Sequence, residues 1–284
     1  MIAWFGTGLL GAGFVRALRR RGEDVTVWNR TPEKARALEA DGARVATDPA
    51  AAARGASRIH LTLSDDGAVD EVLERARDGF APGVVIVDHT TTSATGTKER
   101  VARWDAGGIP FLHAPVFMGP QNALESSGTM LASGDRDRFE QLRPELEAMT
   151  GKVVYLGPDV ARAAAFKLMG NLFLTFVTVG LTDLLALAKA LGVPPQEAAS
   201  LFEFFNPGAA IPARAARLIE ADFEHPSWEL TMARKDVRLM VDEGNRAGVD
   251  LLALPAIAAK MDDLIARGYG ASDWTVIAKD ALAV

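Results

Sequence analysis

The chain contains no cysteine, which removes thiol nucleophiles, thiolate zinc sites and iron–sulfur clusters from consideration. Its four histidines, His60, His89, His113 and His225, show no metal-ligand spacing, so no metal is expected. A surplus of positive charge is also missing. With 31 Lys+Arg against 37 Asp+Glu and a formal net charge of -6, the chain lacks the broad basic face that nucleic acid requires. No basic segment leads into an apolar stretch at the N-terminus, so a signal peptide is not expected and a cytoplasmic protein is. The longest apolar run, residues 172–188, carries Asp183 and several threonines. It falls short of the roughly 20 uninterrupted apolar residues of a bilayer span, reads as a buried helix, and predicts no membrane partner. What remains, 49% hydrophobic and 24% charged over 284 residues, is the composition of a globular protein long enough for two moderate domains.

Up to residue 158 short apolar runs alternate with helical patterns. Residues 2–5, 25–28, 59–63, 84–87 and 110–112 read as buried strands, and 11–21, 32–40, 68–76 and 94–104 as helices. This alternation predicts an α/β fold, an N-terminal doubly wound Rossmann sheet with right-handed crossovers. Further strands are expected at 129–133 and 153–156, with a helix at 138–149 between them. From residue 159 to 284 the spacing is helical throughout, predicting an all-helical domain. Its first helix, about 160–191, is long and apolar, and Gly192 with Pro194 supplies the stop. Such a helix must be covered on most sides, as an interdomain spine, a subunit interface, or both. Smaller helices are expected at 195–205, 209–220, 230–247 and 254–267.

Gly6-Thr7-Gly8-Leu9-Leu10-Gly11 follows the first strand and opens a helix. In this context the glycines allow the tight turn, the approach of a pyrophosphate and close helix–strand packing, and the helix N-terminus offers unpaired N–H groups to phosphate. An NAD-preferring domain ends its second strand with a carboxylate for the ribose 2′-OH. Here that place is held by Asn29-Arg30-Thr31. A guanidinium can pair with a 2′-phosphate while Asn29 and Thr31 donate neutral hydrogen bonds, which favours NADP. Thr31 before Pro32 also reads as a helix cap, and both roles are compatible.

Lys167 and Asn171 stand four residues apart and share one helix face. An ammonium among apolar neighbours is costly to desolvate, so the Lys167 pKa is expected to fall. Spacing alone leaves a second reading open, in which Lys167 reaches out to water and Asn171 bonds a neighbouring helix.

Together with the glycine motif, Asp88-His89-Thr90-Thr91, Leu112-His113-Ala114-Pro115-Val116, Gly128-Thr129-Met130, Lys167 with Asn171, and Lys235-Asp236, the chain resembles the β-hydroxyacid dehydrogenases. These include 3-hydroxyisobutyrate dehydrogenases and glyoxylate–succinic semialdehyde reductases. The resemblance implies NAD(P)-linked hydride transfer between the nicotinamide and a small aldehyde, keto acid or hydroxy acid, in a cleft between the two domains. By the same resemblance Lys167 is the general acid/base, with Asn171 holding the reacting oxygen or the amine. Leu63, Ser64, Thr91 and Lys235 lie along the cofactor, and Thr90, Thr91 and Asp236 face the substrate. A homodimer or homotetramer through the helical domain is expected.

The sequence departs from the family at the substrate anchor. Where relatives carry a Ser-Gly-Gly turn for a carboxylate, this chain has Phe117-Met118-Gly119, so the pocket is expected to be greasier, with Thr90, Thr91 and the Gly119 backbone left to hold any carboxylate. Imine reductases share the architecture and also lack that turn, which makes them the competing enzyme reading. They usually lack the lysine, so Lys167 favours carbonyl and alcohol chemistry. A non-catalytic NADP-binding regulatory protein is the alternative of another class. Trp228, where relatives often have Phe, closes the pocket or packs as a core aromatic. Lys235 and Asp236, adjacent on a helix, are expected to point apart. His113 stands where relatives have Asp, and Asp65-Asp66 reads as a helix cap.

Overall fold

A short, largely apolar segment bounded by turn formers is enough for a strand buried on both faces, and β1, Ile2–Phe5, buried at every position, is the clearest of those in the first unit. The computed structural model describes residues 1–282 and divides into two compact units, residues 1–172 and 173–282. In the first, β1 (Ile2–Phe5), β2 (Val25–Trp28), β3 (Arg44–Val45), β4 (Arg58–Leu61), β5 (Val85–Asp88) and β6 (Phe111–His113) form a parallel sheet of order β3-β2-β1-β4-β5-β6, the order of a doubly wound dinucleotide-binding sheet. The register sets Trp4 beside Val27 and His60, and Leu61 beside Asp88.

Alternation along β1 sends Trp4 to one face, with Phe14, Val87, Leu112 and Phe139. Phe5 goes to the other, with Trp28, Ile59, Leu73 and Trp104. Each such side chain contributes about 2–3 kcal/mol through burial. The crossovers are α1 (Leu9–Arg20), α2 (Pro32–Arg36), α3 (Pro49–Ala53), α4 (Asp66–Ala76) and α5 (Ala94–Ala106). As expected, Asp65 caps α4, its carboxylate accepting from the Ala68 N–H at 2.8 Å.

A second, three-stranded sheet follows: β7 (Val116–Phe117) runs antiparallel to β8 (Thr129–Ala132), which is parallel to β9 (Lys152–Tyr155). Helices α6 (Pro120–Glu125) and α7 (Arg136–Ala148) accompany it. The sequence reading passed over β3, α3, α6 and β7. It also carried the helix after β2 to residue 40, whereas α2 ends at Arg36 and a 3-10 turn over Glu39–Asp41 leads into Gly42 at φ +83°.

Helix α8 (Arg162–Ala190) runs for 29 residues and belongs to both units. The expected boundary at 158/159 falls just before it, but the first turns of α8 pack with the sheets: Ala163 and Ala164 are fully buried, and the Ala163 N–H donates to Ser133 Oγ at 2.9 Å.

The second unit contains the rest of α8 with α9 (Pro195–Phe204), α10 (Ile211–Glu220), α11 (Leu230–Ala247), α12 (Leu254–Leu264) and a short α13 (Lys279–Leu282). Its core is small, centred on Leu230, Val237, Met261, Leu264 and Val276. The expectation that the long helix is covered on most sides is not met within one chain, because Phe173, Leu174, Phe176 and Val177 are all more than 40% exposed. By length and composition α8 would suffice to cross a membrane. Its one buried charge is structural: the Asp183 carboxylate accepts from the N–H groups of Leu252, Ala253 and Leu254 and so caps the start of α12.

Candidate active site

All turns that carry site residues leave the sheet at the carboxyl ends of its strands, where doubly wound folds bind ligands. After β1, Gly6 adopts φ +92°, and a Cβ there would strike the Thr62 carbonyl. A Cβ on Gly11 would overlap the Gly6 carbonyl, whereas one on Gly8 would meet nothing within 4 Å. Gly6 and Gly11 thus make the tight turn and the close helix approach, and Gly8 leaves open backbone at the N-terminus of α1, as a pyrophosphate cradle requires. The turn is held from below. The Trp4 indole donates to Thr62 Oγ1 (2.9 Å), and that hydroxyl donates to the Gly6 carbonyl (2.7 Å).

The cleft beside this turn is lined by Gly6, Gly8, Asn29, Arg30, Thr31, Leu63 and Ser64, bringing together residues expected along the cofactor. Asn29 shapes the turn, its Oδ1 accepting from the Thr7 N–H (2.9 Å) while its Nδ2 donates to the Thr31 carbonyl (2.9 Å). Thr31 stands at the N-cap of α2, but its hydroxyl makes no capping bond. Lys34, Trp28 and Arg75 also line the cleft and were missed from the sequence. Lys34, on the first turn of α2 on the same side as Arg30, could have been found from its spacing. Arg75 lies over the Trp28 ring at 5.2 Å and pairs with Glu71 at 3.3 Å. Three cations against one carboxylate suit an anionic cofactor group. The Asp65 carboxyl is held below its ordinary range first by the Ala68 N–H, then by the Ser64 hydroxyl, with a smaller contribution from Arg30.

On α8 the Lys167 ammonium donates to Asn171 Oδ1 at 3.0 Å, and its Nζ sits 4.5 Å from the centre of the Phe117 ring. Burial lowers the Lys167 pKa from the ordinary lysine value, with no charged neighbour contributing among the described residues. Lys167 and Asn171 therefore share a face, as the spacing requires. Phe117 is 37% exposed.

The candidate carboxylate anchors are differently placed. Thr90 is 2% exposed and its Oγ1 accepts from the Leu63 N–H at 3.0 Å, tying the hydroxyl oxygen to the loop after β4. The Gly119 N–H is likewise engaged, donating to Asn122 Oδ1 at 2.9 Å at the start of α6. Thr91 is exposed and Met118 half-buried.

In the second unit, Trp228 is 40% exposed and packs edge-on against Trp274 at 5.6 Å. Lys235 and Asp236, expected to point apart, form an ion pair at 2.8 Å. The flexible lysine stem bends round the helix to reach its neighbour.

Two of the buried histidines, His60 and His89, are bonded to each other. The Ala114 carbonyl can only accept, so His89 donates to it from Nδ1 (2.7 Å), leaving a bare Nε2 to accept from His60 Nδ1 (2.9 Å). Burial holds His89 at about 4 and His60 well below its ordinary value, keeping both imidazoles neutral. His113, on β6, is buried with Nδ1 3.5 Å from Asp88 Oδ2. Among the described residues no group of three or more His, Asp or Glu side chains is placed to hold a metal ion.

Comparison with known proteins places this architecture. Residues 1–157 match the family described as the NAD binding domain of 6-phosphogluconate dehydrogenase, and residues 159–282 match the C-terminal domain of NADPH-dependent reductive aminase-like proteins. An uncharacterised oxidoreductase of Shewanella frigidimarina is 29% identical over 258 residues, covering 88% of this chain and 87% of its own length. Among solved structures, the imine reductase of Streptomyces aurantiacus superposes with a TM-score of 0.88 at 26% identity, over 99% of both chains. The imine reductase of Myxococcus stipitatus in complex with NADP+ gives 0.89 at 21% identity, over 98% of this chain and 99% of that one. The chain thus belongs to the family of the NAD-binding domain of 6-phosphogluconate dehydrogenase, as an NAD(P)-dependent oxidoreductase of the β-hydroxyacid dehydrogenase type.

Proposed function

We propose that this protein is an NADPH-dependent reductase of C=N bonds carrying uncharged, apolar substituents, with Lys167 as its proton donor. The observation that carries this reading is the seat of the Lys167 amine, half-buried, bonded to Asn171 and covered by Phe117. Phe117 stands where the resemblance would put a carboxylate-binding turn. Of the remaining anchors, Thr90 Oγ1 and the Gly119 N–H are engaged within the protein and Thr91 alone is exposed, so a charged acid has fewer groups to hold it than the family's turn would offer. The match of the second half to reductive aminase-like proteins supports the same choice.

Gly8 and the first N–H groups of α1 would hold the pyrophosphate of NADPH, and Arg30 with Lys34 its 2′-phosphate. Bound NADPH supplies the hydride. Lys167 gives a proton to the substrate nitrogen, becomes a neutral amine, and is recharged from solvent. Its lowered pKa eases that transfer near neutral pH, while Asn171 Oδ1 fixes the direction of the ammonium. By the family resemblance, Trp228 and Asp236 would contact the substrate and Lys235 the cofactor.

The exposed side chains of α8, Phe173, Leu174, Phe176 and Val177 among them, are covered by a second copy of the chain in a cytoplasmic homodimer. Such a contiguous apolar face is more than a soluble monomer keeps in water.

A second reading, reduction of a small aldehyde or keto acid, is favoured by Lys167 itself, the residue that the resemblance assigns to carbonyl chemistry. NADPH oxidation with cyclic imines, ketone–amine mixtures, glyoxylate and succinic semialdehyde separates the two. Turnover of imines is expected. Turnover confined to the two acids would establish the second reading, and none with any of them would return the chain to a regulatory NADP-binding role.

A further inference from the structure

The geometry points to Phe117 as the positioning residue of Lys167, and to Gly170 as the vacancy that lets it act. Lys167, Gly170 and Asn171 occupy one face of α8, three and four residues apart. Phe117 comes to that face from the end of β7, with its ring 4.5 Å from the ammonium. A Cβ on Gly170 would overlap the ring at Cζ and Cε1, so any larger residue at 170 would push the aromatic away from the amine. Gly170 lies in a helix interior, where alanine is intrinsically preferred. Its value here is therefore steric, not conformational.

The ring has two effects on the ammonium. Its bulk keeps water from one side, which disfavours the charge, and its π face attracts the cation, which favours it. Asn171 Oδ1 holds the amine from the helix side. No carboxylate or second cation faces Lys167 among the described residues, so ring and amide set both the direction and the acidity of the proton. This rests on Lys167 as proton donor.

The test uses the full-length protein and reads Lys167 directly, from its rate of acetylation by acetic anhydride as a function of pH, followed by mass spectrometry. Phe117→Leu keeps the bulk and removes the π face, so the midpoint for Lys167 should fall by about half a pH unit. Phe117→Ala rehydrates the amine, and the midpoint should rise toward that of an ordinary lysine. Gly170→Ala should reproduce Phe117→Ala, yet change nothing further when made in that background. Phe117→Tyr should restore the native midpoint. The pH limb of kcat should move with the midpoint in each variant. Equal midpoints for the Leu and native proteins, or a Gly170→Ala effect that is the same with and without Phe117, would overturn the positioning role. Midpoints that move as expected while the pH limb of kcat stays fixed would support the ring–amine contact and remove Lys167 from the chemistry.

Discussion

The two units treat apolar surface in opposite ways. In the first, six parallel strands bury aromatic and branched side chains on both faces, so that Trp4, Phe5, Ile59 and Trp104 are sealed from water. In the second, a core of a few residues on α11 and α12 coexists with a long run of exposed phenylalanine and leucine on α8. The glycine turn, the cations of the cleft beside it and the half-buried Lys167 also belong to the first unit. A sheet closed by helices is complete within one chain, whereas a helical unit this apolar needs another surface to finish it.

Five variants and one titration bear on this contrast. The largest effect is expected from Leu174→Asp on the exposed face of α8, which should weaken self-association by at least about 10³-fold, since a charge would be buried twice across a symmetric contact. Analytical ultracentrifugation reads it, and an unchanged oligomer would show that the apolar face has another purpose. Lys167→Ala should lower kcat by about 10²-fold while NADPH affinity stays nearly intact. If Lys235→Ala proved as severe in steady-state kinetics and Lys167→Ala mild, the chemistry would lie in the second unit. Arg30→Asp should weaken NADPH relative to NADH by about tenfold or more, from the loss of a charge-assisted phosphate contact. Fluorescence titration with the two cofactors measures it. Asp183→Asn, which retains one acceptor oxygen of the α12 cap, should cost about 1–2 kcal/mol in denaturant unfolding.

The titration concerns the direction of proton flow. Lys167 donates only as the ammonium, so imine reduction should hold at low pH and fall as pH rises through a lysine pKa that burial has lowered. A profile that instead rises with pH over that range would make Lys167 a base.

Much of the first unit was legible in the sequence. The bounds of β1 and β2 follow from short, largely apolar runs, and the glycine spacing marked the turn between β1 and α1. Elements such as β3 and β7, two residues each, are too short to show any period and arise from pairing with distant strands. The missed α3 had a local signal in Asp48-Pro49, and the Asp48 carboxylate does accept from the Ala51 N–H at 2.7 Å. Side-chain roles were harder to foresee. The engagement of Thr90 with Leu63 and the seating of Phe117 over Lys167 depend on contacts between segments that only the fold brings together. The ion pair of Lys235 with Asp236 depends on a rotamer that helical spacing does not specify.

One carboxylate in the last third of α8 has a mechanical consequence. By grasping three successive amides that begin α12, Asp183 couples the two helices like a rivet that joins the last third of one beam to the tip of another. Rotation or translation of α8 past that point carries α12 with it, so flexing of the second unit is to be sought at the far ends of these helices, away from the join.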